Sequence, residues 1–405
     1  MAMNTGQQVR FGLIGYGRIG HWHARNIRAL PNLKLVGVAD TDYRARKKAV
    51  KTFGVPAFAT AEELLRPFDI DVVVICTPPN THVPLIEAAA AAGKHVLVEK
   101  PLALNLAEAE RGVAACAANN VQLGVVHQQR ARSATRALRQ LIINGRLGKP
   151  LLAVATHTWF KTQAEVDRHP WRGNAAAGGG VLLEQAVHAI DLLVWFLGEP
   201  RWVSGTAATL ALKTSGEDTV VATIGFAGGA VATLAASTAT NMMRDDIAIE
   251  VVGTRGGFRV EVRDYDNAEI VRLDLAEKDQ ARARTLSTGQ IESLVQEQCG
   301  LWRRGPKSLL WRALARVAGK ERGARPFRSP RAFLRRQIDR VAQFERQELQ
   351  GHAAVLTQMA AAVRGTGEPL VTGRDALQSL AVIDGIYRSH ATEGQRVNLL
   401  TLEGP

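Results

Sequence analysis

Apolar residues in the first third of the chain come in short runs with at most one polar residue each, at 9–15 (VRFGLIG), 34–39, 57–59, 71–76 (DVVVIC), 95–98 and 121–126. Runs so nearly free of polar residues belong to strands buried on both faces, the environment of a parallel sheet. Between them, residues 21–30 and 42–53 carry the spacing of helices that cover such a sheet. This alternation predicts an α/β domain ending near residue 127. A further helix is expected to close at Asn144-Gly145, and residues 151–158 to form a strand. Residues 201–273 then read strand after strand, from WVSGTAATLAL to AEIVRLDL, separated by Gly, Asp or Asn, and predict an antiparallel meander. Two helices, at 351–364 and 373–389, complete the expected elements.

One stretch, residues 178–191 (GGGVLLEQAVHAID), stands apart. As a helix it sets Glu184, His188 and Asp191 at i, i+4 and i+7, a polar stripe on a cylinder otherwise covered by Val181, Leu182, Leu183, Val187, Ile190 and Leu193. Ionisable groups in apolar surroundings are costly unless paired or used. A His and a carboxylate one turn apart are therefore candidates for proton transfer, against the plainer reading of a core His satisfied by its neighbour.

With 405 residues and 46% hydrophobic content the chain exceeds one ordinary core. Two domains are expected, 1–127 and 128–405. No apolar stretch precedes the first strand and no run of 18 apolar residues is free of charge, so export and bilayer crossing are not expected and the cytoplasm is. Cys76, Cys116 and Cys299 lack C-x-x-C spacing, and no metal is expected at them or at His157 and His169. The net charge of +13 is concentrated: residues 301–350 hold 14 Lys or Arg against 4 Asp or Glu. The remainder is nearly neutral, which argues against a nucleic-acid binder. The basic residues fall in an apparent insertion at about 276–345. There, residues 308–318 (SLLWRALARVA) put Leu310, Leu314 and Val317 on one side of a helix and Arg312 and Arg316 on the other. A solvated arm or subunit clasp is the preferred reading; peripheral membrane contact through 301–350 and an acidic partner are the alternatives.

The run at 9–15 ends in Gly15-Tyr16-Gly17-Arg18-Ile19-Gly20, a G-x-G-x-x-G between a strand and a helix, with Asp40 at the end of the next strand. This is the dinucleotide fingerprint: glycines for the turn and for close approach of the pyrophosphate, an acid for the ribose 2′-hydroxyl. Asp40 favours NAD, and NADP is the alternative because Arg44 and Arg46 follow one turn later. The strand at 71–76 leads into TPPNTH, so that Thr77, Pro78, Asn80 and His82 sit on a loop at the ligand-binding edge, with Asn80 or Thr81 able to cap the next helix. Glu99 and Lys100, before Pro101, reach the same edge, and His127 ends the sixth strand as a candidate substrate contact. Residues 168–173 (RHPWRG) form a loop whose Trp171 and Arg172 suit a polyhydroxylated ring, unless Trp171 only packs on the site helix.

The pieces GYGRIGHWHA, Asp40, TPPNTH, EKP and GGGVLLEQAVHAIDLL, in this order across nearly the whole chain, resemble the Gfo/Idh/MocA family of nicotinamide-dependent oxidoreductases. The resemblance implies a Rossmann dinucleotide-binding domain followed by an α+β domain with an open, mostly antiparallel sheet. It also implies a cleft between them with Lys100 and His188 as the catalytic pair. Glu184 stands where the family usually has Asp or Asn, and is expected to orient His188 or Lys100. The expected reaction is hydride transfer between NAD and a secondary alcohol of a sugar, sugar derivative or cyclitol. Redox-assisted elimination or glycoside cleavage on the same fold is one alternative, and a non-catalytic dinucleotide-binding regulator is another. The small alternating residues of the meander predict a homo-oligomer formed through the open sheet.

Overall fold

A computed structural model describes residues 8–66, 69–240, 246–263, 269–275, 284–286 and 351–401. The expected membrane-contacting or clasping segment at 301–350, most of the insertion at 276–345, and Cys299 lie outside the described residues.

Six parallel strands form the first sheet, in the order β3 (Ala57–Phe58), β2 (Leu33–Ala39), β1 (Val9–Ile14), β4 (Val72–Ile75), β5 (His95–Glu99), β6 (Leu123–Val126). All four residues of β4 are buried, as an uninterrupted Val-Val-Val-Ile run in a covered sheet requires. The strand order reverses between β1 and β4. That switch point opens a crevice at the carboxyl ends of the strands, between the turn after Ile14 and the turn after Ile75.

The second sheet has nine strands, ordered β14 (Arg284–Leu286), β13 (Glu269–Leu275), β12 (Gly256–Arg263), β11 (Asp246–Gly253), β7 (Pro150–Thr158), β10 (Val231–Ser237), β9 (Thr219–Phe226), β8 (Pro200–Ala208), β15 (Val397–Asn398). It departs from a simple meander. β7 (Pro150–Thr158), which precedes the others in sequence, is inserted between β11 (Asp246–Gly253) and β10 (Val231–Ser237). It runs antiparallel to β11 and parallel to β10. Consecutive strands β10 and β11 are thereby separated, an arrangement that local turn signals cannot encode.

Helix α8 (Val187–Leu197) and the closing helix (Gly373–Ala391) cover one face of this sheet, sharing its core through Ile190, Leu193, Phe196, Leu380 and Ile383. The stretch Ala175–Leu197 is apolar enough by length and composition to cross a bilayer, but 89% of its most apolar window is buried inside the protein. Residues 351–363 are helical and, although expected with the second domain, pack on the first sheet: Val355, Leu356 and Met359 share a core with Phe11, Leu13 and Val74. The chain then hydrogen-bonds along β6, with Val125 N–H donating to Val371 O, before entering the closing helix. The end of the chain therefore ties the two sheets together beneath the crevice.

Candidate active site

The glycine turn shows what it is built to hold. Gly15 has φ 89°, and a Cβ there would lie 2.8 Å from the Cys76 carbonyl oxygen. A Cβ on Gly20 would fall 2.0 Å from the Gly15 carbonyl oxygen, so helix α1 (Arg18–Ala29) can lie this close to the turn only with glycine there. A Cβ on Gly17 would meet nothing within 4 Å, and no side chain caps the N-terminus of α1. Open backbone N–H groups at a helix start, facing a cavity, fit a pyrophosphate. Asp40 is fixed by the Tyr16 N–H on Oδ2 and by the Asp42 N–H on Oδ1, 2.8 Å away, and it lines the same cavity. A carboxylate so held fits a ribose hydroxyl. The residues present therefore suit a dinucleotide.

That cavity, about 800 Å³, continues from the glycine turn to the second domain. Gly15, Gly17, Arg18, Ile19, Asp40, Thr77, Pro78, Asn80, Glu99 and Lys100 line it on one side, and Trp171, Arg172, Glu184 and His188 on the other. Four expected contacts lie elsewhere, and one of them, Gly20, serves the close packing of α1 on the turn. Tyr16 is buried with its hydroxyl on His21 Nδ1, 2.8 Å away. His82 is buried with both ring nitrogens on backbone carbonyls, Pro101 at 2.8 Å and Thr77 at 2.9 Å, so it holds the loop rather than touching a ligand. His127 is buried beneath the cavity, 3.6 Å from Asp191. Neither Asn80 nor Thr81 caps α4 (His82–Ala91): the Thr81 hydroxyl bonds Thr77 and the Pro78 carbonyl instead.

The polar stripe divides. Residues Leu182–Ala186 form a π-helical turn, a geometry often found at functional sites, which continues into α8. Its start is anchored by Glu217, whose carboxylate accepts from Leu182 N–H at 2.8 Å and from the Tyr387 hydroxyl at 3.1 Å. Asp191 is used in the core, where Arg130 grips it bidentately at 2.8 and 2.9 Å. His188 lines the cavity, and its Nδ1 has no hydrogen-bond partner among the described residues. Burial, then the nearby Lys100, push its pKa well below the usual histidine value, so the imidazole is neutral.

Glu184 does not orient His188 through its carboxylate. One oxygen takes Lys161 and the other takes Arg172, while its backbone carbonyl accepts from Lys100 Nζ. Burial lowers the Lys100 pKa to about 8 against the opposing pull of Glu184 and Glu99. Glu99 in turn hydrogen-bonds His23 at 2.7 Å and lies 3.8 Å from His352. Ligating atoms of His23, Glu99 and His352 all lie within 4.8 Å of one another, but a His23–Glu99 hydrogen bond already accounts for the closest pair. Lys161, Trp159 and His352 were missed in the sequence. Lys161 follows β7 with no periodic signal, and His352 comes from the far end of the chain.

Fold and glycine turn together define a dinucleotide-binding protein, and the comparisons with known proteins make it an NAD-dependent oxidoreductase. The chain belongs to the GFO/IDH/MocA family: the model of the oxidoreductase family with NAD-binding Rossmann fold matches residues 9–127, and that of a GFO/IDH/MocA C-terminal domain matches 135–259. Inositol 2-dehydrogenase of Rhizobium meliloti is 31% identical over 276 residues, 67% of this chain and 79% of that protein. D-apiose dehydrogenase of Paraburkholderia graminis is 24% identical over 404 residues, 98% and 92% of the two chains. The WlbA dehydrogenase from Bordetella pertussis, solved with NADH and UDP-GlcNAcA, aligns with a TM-score of 0.73 at 26% identity, covering 98% of this chain and all of that one.

Proposed function

We propose that the chain oxidises a secondary alcohol of a sugar, sugar derivative or cyclitol, or reduces the corresponding ketone, with Lys100 and His188 as its catalytic residues. The observation that carries this reading is that they face one cavity from its two sides beside the glycine turn, a half-buried cation and a neutral imidazole with an unpartnered nitrogen. Bound nicotinamide supplies the acceptor for the carbinol hydride, or its donor in reverse. His188 takes the hydroxyl proton as general base and returns it in the opposite direction. Lys100, steered by the Glu184 carbonyl, donates to the substrate oxygen and stabilises its developing negative charge. Glu184 acts one step removed, by holding Lys161 and Arg172 in place. Trp171 and Arg172 contact the sugar ring. Inositol and apiose dehydrogenases among the relatives support a polyol substrate. The test is a screen of sugars and inositols with the purified full chain and NAD(H), following absorbance of the reduced nicotinamide. Absence of turnover with every polyol, and with the ketones in reverse, would sink the reading.

The same reading makes the protein a cytoplasmic homo-oligomer with its domain boundary near residue 127. Opposite α8, the second sheet exposes Leu152, Val154, Val221 and Val252, with Leu152 paired to Val252 across the β7–β11 ladder. A second copy of the chain would cover this face. Light scattering should give a multiple of 43.8 kDa, and Val154→Lys should lower it; a monomer before mutation removes the proposal.

A further inference from the structure

The charges around Glu184 do not balance. Its one carboxylate serves two cations, Lys161, whose side chain is 3% exposed, and Arg172, at 15%. The only other acid on Arg172 among the described residues is Glu165, 3.9 Å away on the rim with its side chain 40% exposed. Solvent weakens such a pair. Glu99 is engaged by His23 and His352 and faces Lys100, and Asp40, the remaining acid lining the cavity, is held by the Tyr16 and Asp42 N–H groups. With Lys100 facing Glu99, and Lys161 and Arg172 sharing Glu184, three cations at least half-buried meet two buried acids, and one cation is left without a buried counter-charge of its own, an arrangement that is costly unless something else pairs it.

Arg172 is also the cation placed to receive a ligand. Its guanidinium sits 5.2 Å from the centre of the Trp171 ring, and only Nη1 bonds Glu184. It makes no other hydrogen bond among the described residues, and it lines the cavity with Trp159, Trp171, Glu184 and His188. A planar fork with spare N–H groups matches a carboxylate.

We propose that the substrate is a sugar acid, whose carboxylate is held by Arg172 with Lys161 behind it while a ring hydroxyl reaches His188 and Lys100. The proposal rests on the dehydrogenase reading above. A single surplus cation favours a monoanion over a phosphate ester, which carries nearly two charges at neutral pH.

The test uses the full chain with NAD and four probes: D-glucuronate, D-glucose, D-glucose 6-phosphate, and UDP-glucuronate as a nucleotide-linked source of the same carboxylate. A charge-assisted hydrogen bond predicts kcat/KM about ten- to a hundredfold higher for a uronate, free or nucleotide-linked, than for glucose. Arg172→Gln should erase that preference mainly through KM, and Arg172→Lys should restore part of it, with NADH binding as the check that each variant folds. Equal or better turnover of glucose or its phosphate overturns the carboxylate, as does an Arg172→Gln loss that is the same for acidic and neutral sugars. If nothing turns over, calorimetry with the same probes separates the two readings. Uronate binding that needs Arg172 keeps the acid site even where the wider polyol screen removes the dehydrogenase; no uronate binding removes the acid site whatever that screen shows.

Discussion

The two halves of the cleft are made of different material. On the nucleotide side, recognition is by backbone: the Gly15 turn, the open start of α1 and a carboxylate fixed by the Tyr16 N–H, all within residues 15–40. On the other side, the cavity is lined or backed by side chains brought from separate places: Lys100 after β5, Lys161 after β7, Arg172 from a 3-10 turn, Glu184 from a π turn, His188 from α8. Backbone recognition needs glycines at fixed spacing and tolerates little variation. Side-chain recognition can be rebuilt one residue at a time on the same fold, which is how one fold serves many polyols.

This difference predicts that damage on the substrate side removes chemistry and spares cofactor binding. Lys100→Met and His188→Ala should each lower turnover by about 10² to 10⁴, the usual worth of a general acid or base, with NAD(H) affinity nearly unchanged by calorimetry. Glu184→Gln should cost less, since it weakens the hold on Lys161 and Arg172 without removing a reacting group. Full activity in either of the first two variants takes that residue out of the mechanism.

The same difference decides what could be read from the sequence. The first sheet and its glycine turn were legible because strand, turn and acid are consecutive, and each leaves a local mark. Lys100 and His188 were legible through short motifs. Glu184 was found but its partners were not: Lys161 and Arg172 are 23 and 12 residues away, joined to it only by the fold. Likewise the insertion of β7 between β10 and β11 depends on long-range pairing that no turn residue announces. His82 misled because a histidine in a ligand loop looks the same in sequence whether it faces the ligand or ties the loop from behind.

A smaller effect tests the nucleotide side. Arg46 uses one guanidinium nitrogen on the Asp40 and Thr41 carbonyl oxygens, at 2.8 and 3.0 Å, and lies over the Tyr43 ring, which ties it to the loop beside Asp40 that a 2′-phosphate would approach. Asp40 would repel that phosphate. NAD(H) should therefore bind more tightly than NADP(H), and Asp40→Ser should narrow the gap about tenfold by removing one charge-assisted contact. Tighter binding of NADP(H) by the unaltered protein would overturn this account of Asp40.

The smallest expected effect is on pH, and it bears on the substrate side alone. His188 is held neutral by burial, with its pKa well below 6.5, so alcohol oxidation should show no loss on the acid side near the ordinary histidine value. Lys100 has a pKa of about 8, so its ammonium form is lost above that and kcat/KM should fall about tenfold per pH unit there. Stability moves the other way. The folded state releases the Lys100 proton near pH 8 and the unfolded chain only near 10.5, so between those values unfolding takes up a proton. This group's contribution to stability therefore rises with pH across that window and is smallest below pH 8. Lys161, whose pKa burial also lowers, adds a rise of the same sign, so Lys100→Met should reduce the alkaline rise in stability without abolishing it, read by denaturant unfolding at pH 7.5 and 9.5. If the rise is undiminished in Lys100→Met, a different group titrates in that window and the alkaline loss of activity is not that of Lys100.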